Sequence, residues 1–216
     1  LVGVTNVVFT ILAMALIDKL GRKPLLAIGV SGITISMFLL AFGFNAATYT
    51  LTETSISKLP SEINIAQLDA LKNKTFDSDT KFKQAVTEAT GSAMSKKYES
   101  EFISAAITMN PTLILVGILG FVASFAISLG PVMWVLFSEL FPNKIRGLAI
   151  SFVGFINSAV SFLVQLIFPW ELANLGSTGT FLLYGVFALV GLVFILRILP
   201  ETKGKSLEEL EAILVK

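Results

Sequence analysis

Amide side chains stand out in a chain that is otherwise apolar. Asn6 sits in "VTNVVFT", and Asn157, Ser158, Ser161 and Gln165 follow one another along "GFINSAVSFLVQL". An amide left unpaired in hydrocarbon is costly, so each of these must meet protein or water. Phe125 and Trp134 belong to another apolar stretch. Amides donate to and accept from hydroxyl groups without demanding a charge, and a flat ring can stack on the C–H face of a pyranose. The set therefore suits a neutral, hydroxyl-rich ligand. A cationic ligand would call for a carboxylate buried in the span interiors and an anionic one for an arginine there, and the span interiors show neither. The plain alternative for each amide is a hydrogen bond between packed helices. For a membrane tryptophan the plain alternative is an interfacial anchor, the role expected of Trp170 beside Glu171. Trp134 is set deeper, with Val135 to Phe137 between it and the first charge, Glu139.

A second group of residues carries charge at the ends of the apolar runs. Asp18 and Arg22 are four apart across Gly21, with Lys23 adjacent; Glu139 precedes Arg146 by seven across Pro142; Glu201 follows the last run directly. Taken singly, such exposed pairs contribute little. Occurring at three run ends together, they predict ion pairs that hold those ends as a latch. Conventional catalysis finds no support. The chain has no cysteine and no histidine, and no nucleophile–base pair or metal cluster is apparent, so neither an enzyme nor a cofactor is expected. Sixteen basic residues nearly cancel fifteen acidic ones, leaving a net charge of +1, which predicts no nucleic-acid partner.

The elements that must position these residues are membrane helices. Hydrophobic residues make up 54% of the chain and charged ones 14%, against about 25% charged in a soluble chain. Five runs approach or exceed the roughly twenty residues needed to cross a bilayer. They are Leu1–Ile17, Pro24–Phe44, Pro111–Phe137, Leu148–Trp170 and Phe181–Leu199. The third contains "GPVMW", where proline removes a backbone hydrogen bond and glycine loosens the same point. Gly130 and Pro131 are therefore expected to bend that span. The chain begins with leucine inside an apolar run, and the expectation is a fragment lacking an N-terminal part.

Basic residues in "DKLGRKP", in "SELFPNKIRG" and beyond the last span fall at alternate span ends, which predicts that these ends and the C-terminus face the cytoplasm. Residues 45–110 form a polar insertion on the opposite, outer face, with helices expected in "SEINIAQLDALKNK" and "SDTKFKQAVTEATGSAM". In the second, Phe82, Val86, Ala89 and Ala93 recur at helical spacing after Asp79, the candidate N-cap. Residues 201–216 are expected to form a tail with a short amphipathic helix, Ser206 and Glu209 making its capping box. The segments are thus 1–44, two spans with a basic loop; 45–110, the insertion; 111–200, three spans; and 201–216, the tail.

Together "DKLGRKP", "GPVMW", "SELFPNKIRG" and "PETKGKSLEEL" resemble the sugar porter branch of the major facilitator superfamily, along nearly the whole chain except the insertion. The resemblance implies an all-α membrane protein corresponding to helices eight to twelve of twelve, the missing N-terminal half being its partner in the bilayer. It implies a monosaccharide transporter working by alternating access in the plasma membrane, closest in motifs to bacterial inner-membrane proton symporters. A facilitative uniporter and a transporter-like sugar sensor are the alternatives. By the same resemblance Asn6, Phe125, Trp134 and Asn157 are sugar contacts, and Gly130 and Pro131 the hinge. Asp18, Gly21, Arg22, Lys23, Glu139, Arg146 and Glu201 form the cytoplasmic gate. The chain departs from the family at Ser158 and Ser161, where tryptophan and asparagine are common. It also has Ala126 where facilitative animal members carry glutamate, which favours protons as the coupling ion.

Overall fold

The structure, a computed structural model, describes residues 1–205 and Glu209; the expected capping box and amphipathic helix of the tail lie outside the described residues. Five helical segments are long and apolar enough to cross a membrane. These are α1 (Val2–Leu20), α2 (Arg22–Asn45), Pro111–Leu140, α9 (Arg146–Asn174) and α10 (Gly176–Arg197). The insertion after α2 runs β1 (Thr48–Thr50), α3 (Glu53–Ile56), a 3-10 helix (Ile65–Leu71), β2 (Thr75–Phe76), α4 (Asp79–Thr90), α5 (Ser92–Lys97), α6 (Glu99–Ala106) and β3 (Ile107–Thr108). The chain gathers into two compact units. Among the described residues, one holds 1–38, 115–168 and 182–205; the other holds 39–114 and 169–181.

In the first unit the third span is two helices, α7 (Pro111–Ile127) and α8 (Leu129–Leu140), parted at Ser128. The bend was expected at Gly130 and Pro131, and the observed break lies in the turn before them. Proline strains the residue four back, here Ile127, by withholding its N–H from that carbonyl and crowding it. Ser128 takes up the strain at φ −125 and ψ −90. Its N–H reaches back to the Phe125 carbonyl at 3.2 Å, while its hydroxyl donates to the Ser124 carbonyl at 2.6 Å. Regular bonding resumes with the Val132 N–H on the Ser128 carbonyl at 3.0 Å. Ser128 is fully buried because α2 runs against it. A Cβ on Gly29 would overlap the Ser128 side chain, one on Gly32 the Ser124 hydroxyl, and one on Gly120 would lie 2.8 Å from Ser36 Oγ. Small residues on both helices thus bring the backbones together, as is common in membrane interiors. Nearby, Leu25 and Leu26 of α2 pack with Val132 and Leu136 of α8, flanked by Leu16, Ile17, Leu140 and Leu199.

In the second unit the insertion folds around its own core of Tyr49, Leu51, Leu68, Phe82, Val86 and Phe102. A three-stranded antiparallel sheet, in the order β2-β1-β3, was not anticipated; its strands of two or three residues are too short to show alternation. The first expected helix is a 3-10 turn instead. Its repeat of three brings Leu68 and Leu71 to one side, and both are buried. The second is cut at Gly91, whose φ of +82 ends α4. Phe82 and Val86 are buried and Ala89 packs beside them, whereas Ala93, beyond the break, is exposed. The N-cap is Ser78, whose Oγ accepts from the Lys81 N–H at 3.3 Å. Asp79, one residue inside the helix, is buried and used elsewhere.

The fourth span also differs from expectation. In place of a short loop after Trp170, α9 continues through Pro169 to Asn174, and Leu175 alone separates it from α10. Along its 29 residues α9 has no buried side chain.

Candidate functional site

The four residues read as ligand contacts are all exposed. Asn6 stands on α1 and Asn157 on α9. Among the described residues neither amide has a hydrogen-bond partner, so the interhelical bond that was the plain alternative for each is not made among them. Phe125 and Trp134 are 42% and 47% exposed. Phe125 stacks on Phe121 with centroids 6.4 Å apart, and Trp134 meets Phe137 edge-on at 6.1 Å. Gly130 lies beneath Phe125, where a Cβ would stand 3.7 Å from the ring. Among the described residues no hydrogen bond or ring contact joins the four to one another. Gln165, another amide of α9, turns back on its own helix to the Ser161 carbonyl at 3.2 Å.

The charged residues, by contrast, converge. The end of α1, the start of α2, the end of α8 and the segment after α10 meet around two carboxylates. Glu139 receives Arg22 through Nε at 3.0 and 3.1 Å and through Nη2 at 2.7 Å, a fork geometry among the stronger ion pairs. Arg22 Nη1 lies 3.4 Å from Asp18 and donates to the Ile17 carbonyl at 3.3 Å. The Thr202 hydroxyl donates to the second oxygen of Glu139 at 2.6 Å.

Glu201 binds backbone instead of a cation. Its carboxylate accepts the N–H groups of Arg22 at 3.0 Å and Lys23 at 3.1 Å, the first amides of α2, and that of Lys203 at 2.8 Å. It thereby supplies from 179 residues away the negative charge that a helix N-terminus favours. Gly21, with φ +96, makes room for it: a Cβ there would lie 2.7 Å from Glu201 Oε2. Lys203 completes the ring by donating from Nζ to the Lys19 carbonyl at 2.6 Å.

Of the seven expected gate residues, Asp18, Gly21, Arg22, Lys23, Glu139 and Glu201 are brought together, Lys23 through its backbone. Arg146 is not joined to them. The turn closed by the Ile145 N–H on the Pro142 carbonyl at 3.1 Å sends Arg146 Nε back to the Phe141 carbonyl, also at 3.1 Å. It neutralises the carbonyl end of α8 there, and its Nη2 is buried without a partner among the described residues. Thr202 and Lys203 were missed. Their signal lay in "PETKG", where a hydroxyl and an ammonium directly follow the acid.

Burial alone would push the Glu201 carboxyl up, but the backbone N–H groups of Lys203, Arg22, Lys23 and Thr202 hold it below its ordinary value. A carboxylate whose pKa is lowered on folding contributes stability that is present above the unfolded value, about 4.3 for glutamate, and is lost as pH falls through the lower folded value. Apparent melting temperature in detergent is therefore expected to hold steady from pH 7 to about 5 with respect to this group, and to decline below about 4. Glu201→Gln should remove the Glu201 share of that acid decline; an identical acid profile in the variant would dismiss the assignment.

The family model described as "Sugar (and other) transporter" matches residues 1–63 and 89–214, leaving 64–88 of the insertion unmatched. The D-xylose-proton symporter of Escherichia coli (strain K12) is 31% identical over 219 residues, covering 99% of this chain and 32% of that protein. The facilitated glucose transporter member 10 of solute carrier family 2 from Danio rerio is 30% identical over 209 residues, 97% of this chain and 38% of that protein. Among solved structures, the inward-open conformation of the xylose transporter XylE from E. coli aligns with a TM-score of 0.65 at 31% identity, over 98% of this chain and 34% of that one. The chain thus spans about a third of the length of the relatives it matches, and these are transporters rather than enzymes. With this match over most of its residues, the chain belongs to the sugar porters of the major facilitator superfamily.

Proposed function

We propose that this chain forms helices eight to twelve of a monosaccharide transporter that works by alternating access, completed by a further membrane unit and embedded in a plasma membrane, the bacterial inner membrane being the best fit. The observation that carries the reading is the cluster around Glu139 and Glu201, which ties four helix ends on one side through a bidentate arginine and a capped N-terminus. Such a cluster can be made and broken as a unit, which is what a gate requires. The basic loops support a cytoplasmic position for it and for the C-terminus.

Asn6, Phe125, Trp134 and Asn157 are the proposed sugar contacts. Their exposure and the unpaired amides in this chain support a site completed across an interface, as expected of ligands bound at the midplane between two halves. The test is uptake of a labelled monosaccharide into liposomes by the whole transporter. Trp134→Ala and Asn157→Ala should each lower uptake at least about tenfold, the order of loss when a ring or a hydrogen-bonding amide leaves a sugar site. Unchanged uptake in both would refute the site.

Proton coupling is the favoured mode, on the xylose–proton relatives and on Ala126, which is buried where facilitative animal members carry glutamate. The facilitative glucose transporter among the relatives supports the alternative, a uniporter. Dissipating the proton gradient should abolish accumulation in the first case and leave equilibration untouched in the second.

A further inference from the structure

Asp79 is the buried carboxylate that the transport reading does not use. It is 6% exposed, in the first turn of α4, inside the segment 64–88 that the family match leaves out. One of its oxygens accepts the Thr80 N–H at 2.9 Å. The other accepts both the backbone N–H and the hydroxyl of Ser177, each at 2.8 Å. Ser177 is the second residue of α10, and its N–H is one of the four amides that a helix leaves without an internal partner. Among the described residues Asp79 has no cation, so its charge is balanced by the N-terminal end of α10. Gly176, at φ +70, leaves the space; a Cβ there would overlap Asp79 Oδ1.

The arrangement repeats the one at α2, where a glycine of positive φ also stands at a helix N-terminus that a distant carboxylate caps. Two further ties surround it in the same unit. Phe44 stacks on Phe181 with centroids 5.3 Å apart and planes 3° from parallel. Gly43 lies so close to Leu113 and Ile114 that a Cβ would stand 2.7 Å from Ile114 Cδ1.

We propose that Asp79 is a clasp by which the insertion caps the last span, so that the start of α4 and the start of α10 gain or lose order together. The segment 64–88 is then more than a tolerated loop. It is a brace on one end of α10, and any state in which that end moves away from the insertion must break two hydrogen bonds to a buried carboxylate. The inference stands whether or not sugar is the substrate.

The experiment is hydrogen exchange followed by mass spectrometry on the chain in detergent micelles, with no ligand. Asp79→Ala should speed exchange of the amides at 177–180 by about tenfold, the usual order for a lost helix cap. Ser177→Ala, which removes one donor and leaves the core of the insertion intact, should speed exchange a few-fold both there and in the first turn of α4, because coupling between two places is reciprocal. Unchanged exchange at 177–180 in Asp79→Ala, with α4 still protected, would overturn the clasp. If Asp79→Ala unfolds the insertion outright, Ser177→Ala decides: faster exchange at 80–83 supports the clasp, and unchanged exchange there overturns it.

Discussion

Replacing Arg22 with alanine is expected to shift the equilibrium between the closed and parted arrangement of the four gathered helix ends by roughly 30- to 150-fold, about 2–3 kcal/mol. Arg22 is the cation that pairs with Glu139 and its side chain is 14% exposed; that of Glu139 is 25% exposed. A fully exposed pair would contribute about 0–1 kcal/mol, and breaking a buried one costs about 3–5 kcal/mol. The observed burial falls between. Three short bonds from a planar fork to one carboxylate bring the figure toward the upper end. In Arg22→Ala, Glu139 keeps only the Thr202 hydroxyl, so most of the loss is the charge left behind. Two comparisons isolate that. Arg22→Lys restores the charge without the fork and should recover only part of the loss. Arg22→Ala with Glu139→Ala should cost less than the sum of the two singles. Because the chain lacks cysteine, labelling of a single Leu140→Cys reports opening cleanly. Leu140 packs against the apolar cluster next to Glu139. Equal labelling rates with and without Arg22 would contradict the prediction.

Gly29→Ala is expected to be at least as damaging, through packing rather than charge. One methyl group at Gly29 would overlap the Ser128 side chain and stand 2.7 Å from the Ser124 carbonyl oxygen. A side chain can turn away, but a helix carbonyl cannot. Overpacking in a close-packed interior ordinarily costs about 1–3 kcal/mol. Here α2 and α7 must also separate along the ladder that joins Gly29, Gly32 and Ser36 to Ser128, Ser124 and Gly120, so about 3 kcal/mol or more is expected. Ser128→Ala supplies the control: it removes the hydroxyl that donates to Ser124 yet leaves room, and should be tolerated far better. Thermal unfolding in detergent orders the variants. A melting temperature for Gly29→Ala within a degree or two of the parent would show that the helices can move apart freely.

The five spans and the charged span ends were legible in the sequence, because hydrocarbon leaves few alternatives. A run of twenty apolar residues must be helical there, and any polar residue within it is conspicuous. The partners of the charges were less legible. Glu139 and Arg146 are close in sequence, yet the turn at Pro142 gives Arg146 to a carbonyl of its own loop. Arg22, 117 residues from Glu139, takes the acid. Spacing along the chain carries no information about which distant end will arrive. Glu201 was recognisable as an acid at a span end, but its use of backbone N–H groups was not, since a sequence does not display the unpaired amides of a helix start. The insertion was hardest. Its short strands and 3-10 turn depend on a small aromatic core, and periodicity over two to seven residues cannot distinguish them.

The lack of any buried side chain along α9 has a consequence for how the protein is made. A helix with no buried side chain, tied to α10 by the stacking of Phe168 on Tyr184 at 6.3 Å, must enter the bilayer largely on its own apolar character, despite Asn157, Ser158, Ser161 and Gln165. During synthesis it can therefore settle as an independent transmembrane segment and wait for its partners to arrive. A segment of residues 146–174 fused alone to a soluble reporter should already be resistant to carbonate extraction. Assembly would come later and set which of its faces leaves the lipid.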